Sequence, residues 1–256
     1  FIENKAGADR IADQVLLKKR SRETAEKLGI AMQDKGIVVS VHAPYYINLA
    51  NPDPQKREAS LGYILESARR AEWMGADRVV VHVGAPMKLE RETAMANCRD
   101  GLLSAQKMLD ENGLSDIHLC PETMGKINQL GTLSEVMELC KVDERFLPCV
   151  DFGHLNARTL GGIKSIADYT AILDEIEDKL GFERLKNFHV HFSKIQYTAG
   201  GEKCHLTFSD NEFGPDYEPL MELFAKRRLE PSVICESAGT QAEDAAEMKK
   251  AYERCL

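Results

Sequence analysis

Six short apolar runs in this chain each end at or beside a residue able to bind a metal or move a proton. The runs are 37–42 "IVVSVH", 78–83 "RVVVHV", 117–122 "IHLCPE", 147–151 "LPCVD", 187–192 "NFHVHF" and 232–236 "SVICE". Amphipathic stretches separate several of them, notably 56–74 and 92–111. In the first of these Leu61, Ile64, Leu65 and Ala68 recur at helical spacing. Residues 216–228 form a further candidate helix behind Gly214-Pro215, with Asp216 in the cap position, and 240–254 form a last one.

Strands that alternate with helices of this length predict right-handed βα units on a parallel sheet, an α/β fold. "FIE" at 1–3 reads as the end of a seventh strand, with one more upstream. Eight strands would make a (β/α)8 TIM barrel whose first strand is missing or truncated at the N-terminus. No linker rich in Pro, Gly or Ser interrupts the 256 residues, so 1–256 reads as a single TIM-barrel domain.

The strand ends carry His42, His82, Glu122, Asp151, His189 and Glu236, 29 to 47 residues apart in sequence. In a barrel the C-terminal strand ends converge on one face, where active sites form. So many carboxylates and imidazoles in one place call for cations to neutralise them. A donor set without thiolates suits Zn2+, with Mn2+ as the other candidate. Any one of these residues alone has a plainer explanation, a hydrogen-bonded strand-end histidine or a carboxylate capping the next helix. All six together do not.

His154, three residues after Asp151, and His205, in the glycine-led "GGEKCH", add two imidazoles from expected loops. Cys120 and Cys149 precede Glu122 and Asp151 by two residues and read as small hydrophobes of the interior. Cys204, beside His205, is the one cysteine marked as a candidate ligand, and His118 reads as a core histidine. His189 and His191 stand one residue apart on one strand, so they share a face.

Seven scattered cysteines without a CxxC motif argue against a disulfide scaffold and for a reducing, cytoplasmic location. No secretory leader is visible, and no apolar run approaches the roughly 20 residues that cross a bilayer, so no membrane partner is expected. The net charge of −8 gives little basic cover for a polyanion.

The chain resembles the endonuclease IV family of zinc-dependent apurinic/apyrimidinic endonucleases, within the xylose-isomerase-like barrels. The resemblance rests on "VHAPYYINLA" (41–50), "VVVHVGA" (79–85), "PETMGKINQLG" (121–131), "CVDFGHLNA" (149–157), "FHVHFSK" (188–194) and "VICES" (233–237). It implies a hydrolase that cleaves DNA 5′ to abasic sites with zinc-activated water, using two or three ions. One ion would be held by His42, His82 and Glu122. A second would share Glu122 and add Asp151, His189 and Glu236. A third would take His154 and His205 with an aspartate two residues before the latter.

That last position is Lys203 here, with Glu202 beside it. Either Glu202 supplies the carboxylate, or the third ion is weakly held, or Lys203 acts as a fixed cation. Glu122, His191 and Lys203 are therefore the candidate catalytic residues, and Tyr45 and Lys194 the candidate substrate contacts. His191 is extra to the family pattern. A sugar isomerase or epimerase, using one divalent ion on the same barrel, is the competing reading. It is favoured by the charge, the thin basic loops and Lys203. A catalytically silent metal-binding module is a third reading, which no residue favours.

Overall fold

The computed structural model describes residues 22–256; the run at 1–3, expected as a strand end, lies outside the described residues. The chain divides into two compact units, with the division after Cys120.

The first unit holds α1 (Arg22–Gln33), β1 (Val41–His42), α2 (Pro54–Trp73), β2 (Arg78–His82) and α3 (Arg91–Glu111). β1 and β2 are parallel, with Val41 opposite Val79 and His42 opposite Val80. Asp53 caps α2 by accepting the Gln55 N–H at 2.9 Å, and Pro54 follows at the first turn, where a missing N–H costs nothing. The helix buries Leu61, Ile64 and Ala68 from the expected stripe. Val79, Val80 and Val81 are all buried, so β2 is covered on both faces, as parallel strands under helices are. The run 37–42 forms less strand than expected. Ile37 and Val38 are exposed, and the ladder takes in Val41 and His42.

β3 (His118–Glu122) contains the division point, and Glu122 registers with Cys149 in the second unit. That unit continues with α4 (Leu133–Cys140), β4 (Cys149–Asp151), α5 (Phe152–Arg158), α6 (Ile166–Leu180), α7 (Phe182–Lys186), β5 (His189–Phe192), β6 (Ile195–Thr198), β7 (Gly201–His205), α8 (Glu218–Arg227), β8 (Ser232–Cys235) and α9 (Gln241–Glu253). β4, β5 and β8 are parallel neighbours, with Cys149 opposite His189, Asp151 opposite His191, and His191 opposite Ile234. β6 and β7 form a separate antiparallel hairpin where the sequence suggested a loop. Phe152, Tyr169, Phe188 and Phe192 fill the core behind these strands.

α4 to α7 lie in segments with no predicted element, although two carry clear start signals. Thr132 and Glu135 make a capping box at α4, and Ser165 and Asp168 make another at α6. Asp216 does not cap α8, which starts behind Tyr217. Its carboxylate instead pairs with Lys194 at 3.2 Å, and its carbonyl accepts the Tyr169 hydroxyl.

Candidate metal centre

In the first unit, the ends of β1 and β2 bring His42 and His82 together edge to face, ring centres 4.8 Å apart. His42 Nδ1 lies 2.6 Å from the Ala43 carbonyl, and His82 Nδ1 lies 3.3 Å from the Tyr45 carbonyl. A carbonyl only accepts, so each Nδ1 carries the proton and each Nε2 keeps its lone pair for a ligand. Asn48 fixes the loops that follow. Its Oδ1 accepts the N–H groups of Ala50 and Ala85, and its amide donates to the Ala85 carbonyl. Gly84, at φ +103°, allows this approach, since a Cβ there would sit 2.1 Å from Asn48 Oδ1. Tyr45, expected to touch substrate, has a largely exposed ring.

In the second unit, Glu122, Asp151, His191 and Glu236 converge, with one ligand atom from each lying within 4.8 Å of the others. Glu122 Oε1 is 2.8 Å from His191 Nδ1, and Glu236 Oε1 is 3.5 Å from the same nitrogen. Asp151 divides its oxygens between two tasks. Oδ1 accepts the His154 N–H at 2.7 Å and caps α5, while the buried Oδ2 accepts no hydrogen bond. Thr123 ties β3 to β4 here, its hydroxyl bonding the Asp151 backbone in both directions.

The pairing of His191 with the carboxylates departs from the expectation. The resemblance puts His189, not His191, beside Glu122 and Asp151. Strand register puts His191 opposite Asp151 and His189 one rung lower, opposite Cys149. His189 accordingly groups with Cys149 and His191.

A second cluster joins His154, Glu202 and His205. His154 donates Nδ1–H to the Thr123 carbonyl at 2.9 Å, which turns Nε2 toward Glu202 Oε2 at 3.5 Å. His205 Nδ1 bonds Ser193 Oγ at 2.8 Å, and its Nε2 lies 4.0 Å from Glu236 Oε2. Glu202 is thus the carboxylate in this group, and Lys203 is exposed away from it. Strand geometry supplies the reason. Glu202 and His205 are three residues apart, an odd separation that would put them on opposite faces of a regular strand. The register breaks between them, however. Tyr197 faces Glu202, Gln196 faces Cys204, and Lys203 is the unpaired extra residue of a β-bulge. The bulge brings Glu202 and His205 to one side and leaves Lys203 out.

Two further residues hold this hairpin in place, and neither stood out in the sequence. A Cβ on Gly125 would lie 2.7 Å from Glu202 Cβ and 2.9 Å from His154 Cδ2, so only glycine lets that loop pass. The Gly125 carbonyl then accepts the Glu202 N–H at 3.1 Å. Arg158, at the end of α5, donates to the carbonyls of Met124, Lys126, Ile127 and Gln129 and fixes the same loop. Lys194, expected to face substrate, is buried and donates to the Asp210 carbonyl at 2.7 Å. Cys204 is exposed, and its thiol faces Gln196.

The electrostatics are those of a site short of positive charge. Burial pushes the Asp151 carboxyl up, His154 pulls it down, and Glu236 and Glu122 push it further up. Burial alone would lower His154, but Asp151, Glu122, Glu202 and Glu236 outweigh it and raise the imidazole to about 9. His191 is likewise raised well above its ordinary value against the opposing effect of burial, by Cys149, Glu236 and Glu122. Protons stand here where divalent cations would do the same neutralising work. The donors are carboxylate oxygens and imidazoles, and Asp151 Oδ2 lacks a hydrogen bond, so the residues fit ions such as Zn2+ or Mn2+.

A family model described as xylose isomerase-like TIM barrel matches residues 4–254. An uncharacterized protein of Methanocaldococcus jannaschii is 33% identical over 218 residues, 84% of this chain and 77% of that protein. A probable endonuclease 4 of Acholeplasma laidlawii is 30% identical over 186 residues, covering 70% of this chain and 61% of its own length. The chain therefore spans about three fifths of that relative. Among solved structures, a D-tagatose 3-epimerase-like protein superposes with a TM-score of 0.70 at 19% identity, over 92% of this chain and 83% of that one, a likeness of fold.

Proposed function

Because the chain belongs to the xylose isomerase-like TIM barrel family, we propose that it is a metal-dependent phosphodiesterase acting on DNA 5′ to abasic sites. The observation that carries this reading is the second cluster. An isomerase working with one ion has no use for His154, Glu202 and His205 beside an already complete carboxylate group. The relatives named probable endonuclease 4 support the same reading. Glu122, Asp151 and Glu236 would hold one ion, with His191 Nδ1 facing the same space. His154, Glu202 and His205 would hold a second, and His42 and His82 offer two more imidazoles. Such ions, when bound, supply Lewis acidity toward a phosphodiester.

The chain's own residues supply the orientation. Thr123 and Ser193 set the imidazoles of His154 and His205, so their Nε2 atoms face the carboxylates without searching rotamers. Glu122 is anchored by His191, and Asp151 by the helix it caps. The exposed ring of Tyr45, whose carbonyl fixes His82, stands ready to contact an unstacked nucleotide.

The test is a duplex with one tetrahydrofuran abasic analogue, incubated with zinc-replete protein. Nicking 5′ to the lesion is expected, together with at least two zinc ions per chain by elemental analysis. An intact duplex combined with a single bound Mn2+ would overturn the reading. That outcome would favour an epimerase of small sugars, the reading supported by the net charge of −8 and the epimerase-like neighbour.

A further inference from the structure

Below the carboxylate group the interior changes character. β4 and β5 run parallel and in register, so their inward positions form two rungs, Asp151 with His191 above and Cys149 with His189 below. The upper rung offers a carboxylate and an imidazole, the lower a thiol and an imidazole. Cys149, His189 and His191 are all fully buried, and one ligand atom from each lies within 4.8 Å of the other two. The two rings meet edge to face with centres 5.1 Å apart.

Three other buried cysteines have ordinary surroundings. Cys98 donates to the Val83 carbonyl at 3.3 Å, Cys120 reaches the His118 carbonyl at 3.6 Å, and Cys235 packs on the Met248 sulfur. Cys149 is the one whose sulfur joins two imidazoles in a group able to hold an ion. A tetrahedral ion with bonds of about 2.3 Å to sulfur and 2.0 Å to nitrogen sets its ligands on the order of 3.5 Å apart, within reach of small side-chain adjustments.

We propose that Cys149, His189 and His191 form a separate site for one thiophilic divalent cation, Zn2+ or Cd2+, beneath the carboxylate group. His191 serves both levels. Its Nδ1 faces Glu122 at 2.8 Å and donates its proton there, which leaves Nε2 as the ligand nitrogen for the lower ion. This is the carboxylate–histidine–metal arrangement that raises the basicity of the ligating imidazole. Ligand softness separates the two levels. The thiolate site prefers Cd2+ and Zn2+ over Mn2+ or Mg2+, whereas the carboxylates accept the harder ions. Binding exchanges the thiol proton for the ion, and that proton leaves to solvent. The site does not depend on the DNA-cleaving reading, because it requires no reaction.

The test uses the full chain with the exposed cysteines replaced (Cys204→Ser, Cys255→Ser), stripped of metal and titrated with Cd2+ under reducing conditions. The ultraviolet thiolate-to-cadmium charge-transfer band is expected to rise and saturate at one equivalent of thiolate-bound ion. It should disappear in Cys149→Ser and persist in Cys98→Ala, whose thiol lies at the Val83 carbonyl. If Cys149→Ser does not fold, 113Cd NMR of the parent decides. A resonance in the range of mixed sulfur and nitrogen ligation supports the site, and oxygen- and nitrogen-ligated resonances alone overturn it. A band that survives Cys149→Ser, or one absent from the parent, also overturns it. Because the readout is spectroscopic, loss of DNA nicking leaves this result standing, and the converse holds.

Discussion

The strands β4 and β5 and the hairpin β6–β7 both deliver ligand-type side chains, but by different means. On the strands, Asp151 and His191 are fully buried and their positions follow from ladder register alone. On the hairpin, Glu202 and His205 keep 17% and 23% of their side-chain surface exposed. Their alignment depends on a bulge, a glycine and an arginine. The first region is specified by periodicity, which tolerates any residue of suitable size on the outer face. The second is specified by a count of residues, and an insertion or deletion of one changes which side chains face the site.

The strongest way to break the comparison is therefore to insert one residue between Gln196 and Tyr197, which gives Lys203 a partner and removes the bulge. A regular hairpin would result, with Glu202 and His205 on opposite faces. Affinity for the ion held with His154 is expected to fall by about 100-fold or more, toward the upper end of what disturbing ligand support costs. The Glu122, Asp151 and Glu236 group should keep its ion. Isothermal titration with zinc reads both classes of site, and an unchanged stoichiometry and affinity in the insertion variant would refute the role of the bulge.

Gly125→Ala probes the same region by packing rather than by register. The added methyl must displace Glu202 or His154 Cδ2 from contacts under 3 Å, an overpacking cost of about 1–3 kcal/mol. Zinc binding at the hairpin cluster should weaken while the upper rung of β4 and β5 is unaffected. A thermal melt with and without zinc separates lost packing from lost ligation. A variant that melts and binds as the parent does would remove Gly125 from the account.

These two regions also mark what could be read from the chain. Parallel strands ending in His82, Glu122 and Asp151 were legible because apolar runs with period-two facing end where polar residues begin. Even there, His189 and His191 share a face, and only the inter-strand register assigned His191 to the carboxylates. The hairpin was opaque for a physical reason. The resemblance puts an aspartate two residues before His205, where Lys203 stands, and the sequence alone leaves Glu202, a weakly held ion and a fixed Lys203 cation as alternatives. The bulge that admits Glu202 leaves no local signature beyond the glycines around it. Thr123, Gly125 and Arg158 act through backbone carbonyls or close approach and Ser193 through its hydroxyl, and such contacts appear only once segments distant in sequence are paired. The helices from α4 to α7 were missed differently. Capping boxes at Thr132 and Ser165 mark the starts of α4 and α6 in the sequence, whereas α5 and α7, with 7 and 5 residues, are too short to show helical periodicity.

A milder pair of substitutions sharpens the assignment of the carboxylate. Glu202→Gln keeps the size but removes the charge facing His154, and it should weaken that ion by about 10- to 100-fold. Lys203→Ala, at an exposed bulge position, should leave affinity within about twofold, since exposed side chains away from special features contribute little. The reverse ranking would return Lys203 to the catalytic role first expected of it.

A different kind of effect comes from protons in the metal-free protein. His154 is raised from 6.5 to about 9 in the folded state, with burial opposed and outweighed by Asp151, Glu122, Glu202 and Glu236. A group raised on folding stabilises fully below its unfolded value and loses that contribution as pH climbs through the folded one. Asp151, pushed up chiefly by burial, has the same sign, because its folded state also holds a proton the unfolded chain has released. Chelator-treated protein should thus become less stable between pH 6.5 and 9, by no more than about 3 kcal/mol from His154. The same protons must leave before His154 can serve a cation, so zinc affinity should rise over that interval. Urea midpoints that increase with pH in the metal-free protein would show that His154 is not held protonated by its four carboxylates. The hairpin cluster would then owe its arrangement to packing alone.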